Sequence, residues 1–385
     1  MMTTKRLLDV CDFQGGTQPP KDEWINDPCE GYVRMLQIRD YSQGDAKFIQ
    51  YVKDTKKLHK CTKDDIMLSR YGYIGQAFIG LEGAYNVALV KVIKKAEIHT
   101  PYLLCYFQSY YFQHFLLSNV GARATIPGFN KDELENALIR IPEMCEQIEI
   151  ASKITKVDEL IGFHKQQLNV LDTLIKSRFI EMFGDPKLNP RKWDMVTIGD
   201  IATDVRYGTS RPATEGGKYP YLRMNNLTYE GHLDLTDLKH IDIPDNEIEK
   251  CVVRNGDVLF NRTNSVELVG KTCVYNLDSD MIIAGYIIRV RIDDRVLPVI
   301  LSSYLNSTVM KEQLRSMAKG AVNQANINAQ ELRSISIYLP PITLQHEFAT
   351  FVEQVDKSKF YIVQMQILLR LLIRAIQQKT TEVLL

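Results

Sequence analysis

An internal duplication limits the possible architectures of this chain more than any other property of its sequence. The stretch QIEIASKITKVDELI, at residues 147–161, resembles QHEFATFVEQVDKSK, at residues 345–359. Both begin Gln-x-Glu-apolar-Ala, and both have Asp at the twelfth position, as Asp158 and Asp356. The two stretches begin 198 residues apart in a chain of 385. Solenoid units are only about 20–50 residues long, so this repeat predicts a tandem of two whole domains.

The duplication extends beyond these two stretches, and its blocks always occur in the same order. IRIP at residues 139–142 returns as IYLP at residues 337–340. The spacing between matched blocks varies slightly, as short insertions in surface loops would produce. Shorter matches join Glu133-Leu134 to Glu331-Leu332, Gly121-Ala122 to Gly320-Ala321, Asp65-Ile66 to Asp257-Val258 and Gly16-Thr17 to Gly208-Thr209.

Composition indicates a folded protein with no overall excess of basic charge. Apolar residues make up 45% of the chain and charged residues 24%, as in globular proteins. The 47 basic and 47 acidic residues balance, which disfavours a nonspecific phosphate binder. The sequence contains no run of about 18 uncharged apolar residues, so no membrane span is predicted. Seven cysteines without a C-x-x-C pair are typical of reduced thiols, so we expect a cytoplasmic protein.

Each copy begins with a globular part whose pattern indicates short β-strands followed by a helical stretch. DVLFNR at 257–262 and MIIAGYIIRVRI at 281–292 are rich in β-branched and aromatic residues and lie between turn-forming residues. The helical stretches are predicted at 101–119 and 296–316. Their aromatic residues are interpreted as core and not as a base-stacking platform.

Each copy ends in a predicted long helix with a heptad pattern, whose apolar stripe needs a partner helix. In the first copy the seam is Ile150, Ile154, Val157, Ile161, His164, Leu168, Leu171, Ile175 and Met182. In the second copy it is Phe348, Val352, Val355, Lys359, Ile362, Gln366, Leu369 and Ile373. His164, Lys359 and Gln366 are its polar positions, and His164 is interpreted as a packing residue. A helix of about 40 residues is roughly 60 Å long, so the economical partner is the other copy, running antiparallel.

The first helix is expected to end in FGDPKLNPRKW, at 183–193, because Gly184 can cap it and two prolines cannot continue it. The predicted class is α+β, with two similar β-rich globular domains separated by two long helices that form an antiparallel coiled coil. The predicted boundaries are 1–142 for the first globular domain, 143–185 for the first helix, 193–340 for the second globular domain and 341–385 for the second helix; these globular domains are the candidate recognition domains.

Catalytic and cofactor-binding motifs are not found in the sequence. It contains neither G-x-x-x-x-G-K-[ST] nor the Asn/Asp-Pro-Pro-aromatic motif of amino-methyltransferases. IPDNEIEKC, at 243–251, resembles a nuclease motif only faintly, and a hinge or turn is favoured there. The histidines and cysteines lack metal-ligand spacing. We therefore predict a non-catalytic protein with no metal site and no cofactor of its own.

The duplicated loops suggest duplicated recognition of nucleic acid. They are rich in Arg, Asn, Gln, Ser and Thr, the side chains that contact bases and phosphates. The alternative is that the glycines only form turns and that Arg70 and Arg262 pair with Asp65 and Asp257. A lysine-rich stretch at 51–73 is either a further contact surface or an ordinary solvated face.

The two copies share their framework residues but differ at neighbouring polar positions, so they are expected to read two different short words. Gln18 matches Ser210, Tyr71 matches Thr263, and Ala124-Thr125 matches Asn323-Gln324. The candidate DNA-binding residues are Thr17, Gln18, Arg70, Tyr71, Tyr73, Arg123, Thr125, Thr209, Ser210, Arg211, Arg262, Thr263, Asn264, Asn323 and Gln324.

These features together resemble the specificity subunit of a type I restriction-modification system. The resemblance lies in the paired Gly-Thr-x-x-Pro turns, the DVLFNR strand, the Gly-Ala…Asn…Glu-Leu block, the IxLPPxxxQxEF passage at 337–348 and the FGDP after the first helix. It covers essentially the whole chain. The first copy departs from it at one strand-to-helix corner, where IRIPEMCEQIEIA lacks the double proline.

The resemblance implies that each recognition domain binds one half of a bipartite sequence in double-stranded DNA. It implies that the helices dock methyltransferase subunits, two in number, and that motor-nuclease subunits join this assembly. S-adenosylmethionine, ATP and Mg²⁺ would then belong to those partners. With a net charge of zero, the isolated chain is expected to bind DNA weakly.

Two other functions remain open on the sequence. A protein-interaction scaffold would use the same coiled coil without DNA specificity. The chain could also be the targeting part of a fused restriction-methylation enzyme, although it lacks an amino-methyltransferase motif.

Overall fold

The computed structural model describes residues 3–42, 48–120, 128–321 and 324–381. The chain divides into two compact units, Met1–His164 with Val363–Leu385, and Lys165–Ile362. This division cuts both long helices near their midpoints, whereas the predicted boundaries lie near their starts. Those boundaries remain a prediction about separate recognition domains.

In the described residues, the globular part of the first unit contains ten short strands and four short α-helices. The strands are β1 (Thr3–Arg6), β2 (Cys11–Gly15), β3 (Tyr32–Leu36), β4 (Tyr51–Lys53), β5 (Lys60–Cys61), β6 (Met67–Ser69), β7 (Ala77–Phe78), β8 (Gly83–Tyr85), β9 (Leu89–Lys94) and β10 (Leu138–Ile141). The helices are α1 (Leu7–Val10), α2 (Ile38–Ser42), α3 (Thr100–Phe107) and α4 (Tyr110–Asn119), and the long helix α5 (Met144–Phe183) follows them.

The second unit follows the same plan with additional elements. Its strands are β11 (Asp194–Thr197), β12 (Ala202–Tyr207), β13 (Tyr219–Leu222), β14 (Lys239–Ile241), β15 (Val252–Val253), β16 (Val258–Asn261), β17 (Thr263–Asn264), β18 (Thr272–Val274), β19 (Met281–Ile283), β20 (Ile287–Ile292), β21 (Lys319–Ala321), β22 (Gln324–Asn326) and β23 (Ser336–Leu339). Its helices are α6 (Ile198–Ile201), α7 (Asp245–Cys251), α8 (Pro298–Asn306), α9 (Thr308–Met317), α10 (Ala329–Arg333) and the long α11 (Ile342–Thr381).

The sheets of the two units have the same topology. The strand orders β2-β9-β6-β7 and β4-β3-β8-β5 of the first unit correspond to β12-β20-β16-β18 and β14-β13-β19-β15 of the second. In each unit one pair is parallel, β3 with β8 and β13 with β19. The first strand of each copy also pairs with the last, β1 with β10 and β11 with β23. The predicted duplication of a β-rich domain is confirmed.

The predicted helical stretches are interrupted at the same point in both copies. Ser109 separates α3 from α4 and caps α4 by accepting a hydrogen bond from the backbone N–H of Phe112 at 3.2 Å. Ser307 does the same for α9, accepting from Met310 at 3.3 Å. A serine at this position ends one helix and begins the next. Tyr102, Tyr106, Phe107 and Phe112 of α3 and α4 lie in the core, as predicted, whereas Tyr110 of α4 is 67% exposed.

A buried glutamine explains the start of the duplicated stretch. Gln147 Nε2 donates to the carbonyl of Pro142 at 2.9 Å, and Gln345 Nε2 donates to that of Pro340 at 2.8 Å. The side-chain oxygen accepts from the backbone N–H of His99 in the first copy and of Leu297 in the second, both at 2.9 Å. Each glutamine therefore joins the end of a strand, the start of a long helix and the loop before a short helix.

Within the second unit, the two long helices pack antiparallel. The ring centroids of Phe179 and Phe348 lie 5.5 Å apart, and Lys359 Nζ lies 2.6 Å from Asp172 Oδ1. Residues nearer the C-terminus of α11 therefore contact residues nearer the N-terminus of α5. The described seam positions of both helices are buried or half-buried, as predicted. The prediction missed Phe179, which is buried beside the seam. The predicted α+β class with two antiparallel long helices is confirmed.

One helix is long and apolar enough to cross a membrane by length and composition alone. Among the described residues this is Ile342–Gln378 of α11, whose most apolar window has a mean hydropathy of 1.3. A core helix passes the same test. Phe348 and Val355 of this helix are buried, but none of its most apolar window is buried among the described residues.

Candidate nucleic-acid interface

The glycine of each Gly-Thr turn is required by close approach of the backbone. A Cβ atom on Gly16 would overlap the carbonyl of Asn86, and one on Gly208 would overlap that of Ile283. The next residue, Thr17 or Thr209, donates its N–H to a carbonyl of the neighbouring strand, at 3.0 and 2.9 Å respectively. These glycines therefore place the threonines against the protein's own sheet, which is a structural role.

Arg262 follows β16 and lies beside the Gly-Thr turn of the second unit. Its guanidinium lies 4.8 Å from the ring centroid of Tyr207, and its Nη1 donates to the carbonyl of Gly285 at 3.3 Å. The N–H of Gly285 in turn donates to the carbonyl of Thr209 at 2.7 Å. Nε of Arg262 is buried and has no hydrogen-bond partner among the described residues. The structure thus brings Thr209 and Arg262 together.

Arg70 occupies the equivalent place in the first unit but is held differently. Its Nε donates to the carbonyl of Phe129 at 3.1 Å, and Nη2 donates to Asn130 Oδ1. The guanidinium also lies 5.3 Å from the ring centroid of Tyr71. Neighbouring residues therefore orient the guanidinium.

The predicted alternative, in which these arginines pair with the aspartates before their strands, is wrong. Asp65 binds Lys91 at 2.8 Å and Asp257 binds Arg291 at 2.8 Å. Burial tends to raise the pKa of Asp65, but hydrogen bonds from Lys91 and Thr62 outweigh it and lower that pKa. These aspartates have other partners and do not neutralise the arginines.

Residues from distant parts of the sequence meet next to Arg262. In the sheet β17-β22-β21, Thr263 pairs with Asn326 and Asn264 pairs with Ala325. Tyr71 forms the corresponding bridge with Gly128 in the first unit. Gln324 begins β22, so its backbone lies in this small sheet. The predicted block around residue 324 is therefore close to the predicted Arg262–Asn264 loop.

The candidate DNA-binding side chains differ in their exposure and in whether other protein groups already bind them. Thr263 is buried and donates to Asn326 Oδ1 at 2.9 Å, which makes it part of the framework. Asn264 Nδ2 donates to Asn261 Oδ1 at 2.8 Å. Gln18, Tyr73 and Ser210 are exposed. Arg123, Thr125 and Asn323 lie outside the described residues.

Arg211 is engaged by an acidic partner on the surface. Its Nη2 and Nε lie 2.7 and 3.1 Å from the two carboxylate oxygens of Glu247. This pairing lowers the pKa of Glu247. Glu247 lies on α7, in the segment predicted to be a hinge or turn, and that prediction is wrong because residues 245–251 are helical. A DNA contact by Arg211 would have to replace Glu247.

Two aromatic residues belong to this surface but were not among the predicted residues. Tyr207 stacks on Arg262, and its hydroxyl accepts from the N–H of Ala329 at 2.8 Å. Tyr286 is 51% exposed, and its carbonyl accepts from the N–H of Arg262 at 2.9 Å. The sequence feature that could have identified Tyr207 is its place directly before the Gly-Thr turn. The first copy has Gly15 there, so comparison of the copies did not single it out.

The lysine-rich stretch forms an exposed basic surface in the first unit. Lys53, Lys56, Lys57 and Lys63 are exposed, and Lys60 pairs with Asp54 at 2.5 Å. Long exposed lysines attract phosphates mainly through charge. Among the described parts of the chain, no group of three or more His, Cys, Asp and Glu could hold a metal ion.

Each unit has a cavity at an equivalent corner, where the serine-capped helix meets the second half of a long helix. Their volumes are about 620 Å³ in the first unit and about 670 Å³ in the second. Equivalent residues line both, namely Ser109 and Ser307, Tyr110 and Thr308, Tyr111 and Val309, Arg374 and Lys176, Gln377 and Phe179, and Gln378 and Ile180.

Comparisons with known proteins agree with this duplicated architecture. A family model described as the type I restriction modification DNA specificity domain matches residues 1–173 and again residues 190–371. The EcoKI specificity subunit of Escherichia coli (strain K12) is 22% identical over 367 residues, covering 88% of this chain and 78% of that protein. The StySPI specificity subunit of Salmonella potsdam is 22% identical over 378 residues, covering 91% and 81%. A chain solved in a study of complex assembly and conformational transition of the type I R-M system has a similar fold, with a TM-score of 0.56 and 20% identity over 98% of this chain and 97% of that one.

Proposed function

Since this chain belongs to the type I restriction-modification DNA specificity family, we propose that each of its two recognition domains binds one half of a bipartite DNA target. The family match covers both copies, so the role of the whole chain is DNA sequence specificity. The first copy is proposed to bind one half-site and the second copy a different half-site.

The observation that carries this proposal is a shared framework with different exposed side chains. Both copies have the same strand order and place an arginine at the same point, as Arg70 and Arg262. Around these arginines the copies differ: Gly15 corresponds to Tyr207, and Gln18 to Ser210. Arginine can form two hydrogen bonds with guanine, and amide side chains can do so with adenine. Two copies of one fold with different exposed side chains therefore favour recognition of two different half-sites.

Phosphate contacts are proposed to come partly from the exposed lysines of the first unit and partly from partner subunits. Lys53, Lys56 and Lys57 can each neutralise phosphates without reading sequence. The whole chain has a net charge of zero, so its electrostatic contribution to DNA affinity is small. The isolated chain should therefore bind DNA weakly, and more tightly once the methyltransferase subunits are present.

The long helices are proposed to dock two methyltransferase subunits. Large apolar side chains on α11 remain exposed, including Phe360, Leu368 and Leu371 at 59%, 58% and 52%. Exposed apolar patches of this kind mark interaction surfaces. The two cavities at equivalent corners provide one equivalent position in each copy, which favours two identical partners.

Chemistry is proposed to reside in the partner subunits. We expect the methyltransferases to bind S-adenosylmethionine and the motor-nuclease subunits to bind ATP and Mg²⁺. This chain would supply sequence recognition and no catalysis, acting as part of a cytoplasmic complex on double-stranded DNA.

In vitro selection tests this function. The chain, assembled with its methyltransferase subunits, would be incubated with random DNA duplexes, and the retained duplexes sequenced. We expect enrichment of two short words separated by a gap of constant length. Retention without any enriched word would support an interaction scaffold, and methyl transfer by the chain alone would support a fused enzyme. Either result contradicts the proposal.

A further inference from the structure

Lys359 occupies a seam position where an apolar residue would suit the fold. It lies on α11 between Val355 and Ile362, and its side chain is only 11% exposed. The equivalent residue of the first copy is Ile161, which is buried. Removing an ammonium group from water is costly, and apolar replacements of buried ion pairs are often neutral or stabilising. Packing alone therefore does not explain the lysine.

The buried lysine forms a cluster with two residues from other elements. Its Nζ lies 2.6 Å from Asp172 Oδ1 on α5. Nε2 of His232 lies 2.8 Å from the same oxygen and 3.3 Å from Lys359 Nζ. Burial tends to raise the pKa of Asp172, but hydrogen bonds from His232 and Lys359 outweigh it and lower that pKa. Asp172 is thus ionised and joins both long helices to a loop of the second recognition domain.

The loop that contains His232 is internally braced. The N–H of His232 donates to Thr228 Oγ1 at 3.0 Å, and that of Thr228 donates to the carbonyl of His232 at 2.9 Å. The N–H of Asp234 donates to the carbonyl of Asn226 at 2.8 Å. A loop closed by such bonds moves as a unit, so fixing His232 fixes the loop.

From this loop, hydrogen bonds lead to the candidate reading residues. Met224, two residues before Asn226, accepts from Lys271 Nζ at 2.8 Å. The carbonyl of Lys271 accepts from the N–H of Asn261 at 2.8 Å, and Asn261 directly precedes Arg262. A continuous path of contacts therefore runs from the two helices to the arginine.

We infer that Asp172, Lys359 and His232 form a positioning cluster that fixes the second recognition domain on the long helices and so determines which gap between the two half-sites the protein accepts. This inference rests on the proposed bipartite recognition. One added base pair displaces a half-site by about 3.4 Å and rotates it by about 35°. A rigidly seated domain rejects that displacement, and a loosened one tolerates it.

The test uses the chain assembled with its methyltransferase subunits and duplexes with the selected half-sites. Methylation rates would be measured with the native gap and with gaps one base pair shorter and longer. In the double variant Asp172→Leu/Lys359→Ile, apolar residues replace the ion pair, so folding should be retained. We expect its preference for the native gap to fall by about tenfold, within the range of couplings inside one ionic network. Lys357→Ile, at an exposed lysine of the same helix, is the matched control and should keep the wild-type preference.

A second variant keeps the inference testable if the double variant does not fold. His232→Ala leaves the Asp172–Lys359 pair intact and should relax the gap preference in the same direction. If wild-type protein discriminates between gaps and these variants discriminate equally well, or lose activity equally on all gaps, the positioning role is wrong. If the wild-type complex itself methylates all gaps equally, the bipartite recognition fails as well.

Discussion

Individual side chains in the two copies divide into framework residues and candidates for contact with DNA. Gly16 and Gly208 allow the backbone to approach a neighbouring strand, and the buried Thr263 bonds within its sheet. Arg262 lies over the ring of Tyr207 and donates to the carbonyl of Gly285, while Arg70 is oriented by Phe129 and Asn130. The arginines are therefore the candidate readers whose substitution is most informative.

Arg70→Ala and Arg262→Ala should each weaken recognition of one half-site only. A lost contact between arginine and guanine costs about 1–3 kcal/mol of discrimination. Binding of the assembled complex to duplexes mutated in one half or the other measures this. Arg254→Ala removes a surface arginine that pairs with Glu249 and is the control. Loss of both half-sites in one variant would contradict the two-reader account.

Gln345→Leu should lower the free energy of unfolding of the second unit by about 2–4 kcal/mol. The substitution removes the hydrogen bonds of Gln345 to the carbonyls of Pro340 and Arg295 and to the N–H of Leu297, and polar groups left unsatisfied away from water are costly. Urea denaturation measures the loss, and Gln147→Leu should have the same effect in the first copy. Gln354→Leu, at an exposed position, should change stability by less than about 0.5 kcal/mol. Equal effects of Gln345→Leu and Gln354→Leu would refute the structural role of the repeated glutamine.

The burial of Lys311 should make the free energy of unfolding increase with pH. Burial lowers its pKa from 10.5 to about 7, so between these values the unfolded chain binds a proton that the folded chain does not. The free energy of unfolding therefore rises through this interval, and the cost of burying the charge is fully present below about pH 7. Urea denaturation of wild-type protein and Lys311→Met at pH 7 and pH 9 tests this. Wild-type protein should gain stability relative to the variant at pH 9, and an unchanged difference would contradict the assignment.

The secondary-structure elements were predictable where periodicity is strong. The heptad spacing predicted both long helices, and β-branched runs predicted β16, β19 and β20. The break at Ser109 was missed because a capping serine looks like any polar residue within a helical pattern. The seam's polar positions were visible, but the partners of Lys359 were not, since His232 is 127 residues away in the sequence.

Substituting the exposed apolar face of α11 should weaken partner binding without unfolding the chain. Leu368 and Leu372 are 58% and 47% exposed, so Leu368→Gln/Leu372→Gln removes little packing. Apolar anchors of an interface contribute more than about 1 kcal/mol each, so affinity for the methyltransferase subunit should fall about tenfold or more. Calorimetric titration measures it, with Val87→Gln, at an exposed residue of the first unit, as the control. Unchanged affinity would exclude this face as the docking surface.

The whole molecule is a duplication in which the two copies share their strand order and differ in the sequences of their loops. The plan could be predicted because the blocks recur in order, and matched strand orders confirm it. The candidate surface for DNA contact could be predicted only in outline. Arg262 and Gln324 were predicted as candidates by comparing the copies, whereas Tyr207 and Tyr286 lie next to Arg262 only because of the fold, and no counterpart in the first copy marks them.

Mapping methylated adenines in DNA from cells that contain the complete system would decide whether the two recognition domains bind two different half-sites. We expect a target of two different short sequences, with one methylated adenine in each half and a nonspecific gap of constant length between them. A single uninterrupted word, or two halves whose separation varies from site to site, would contradict it.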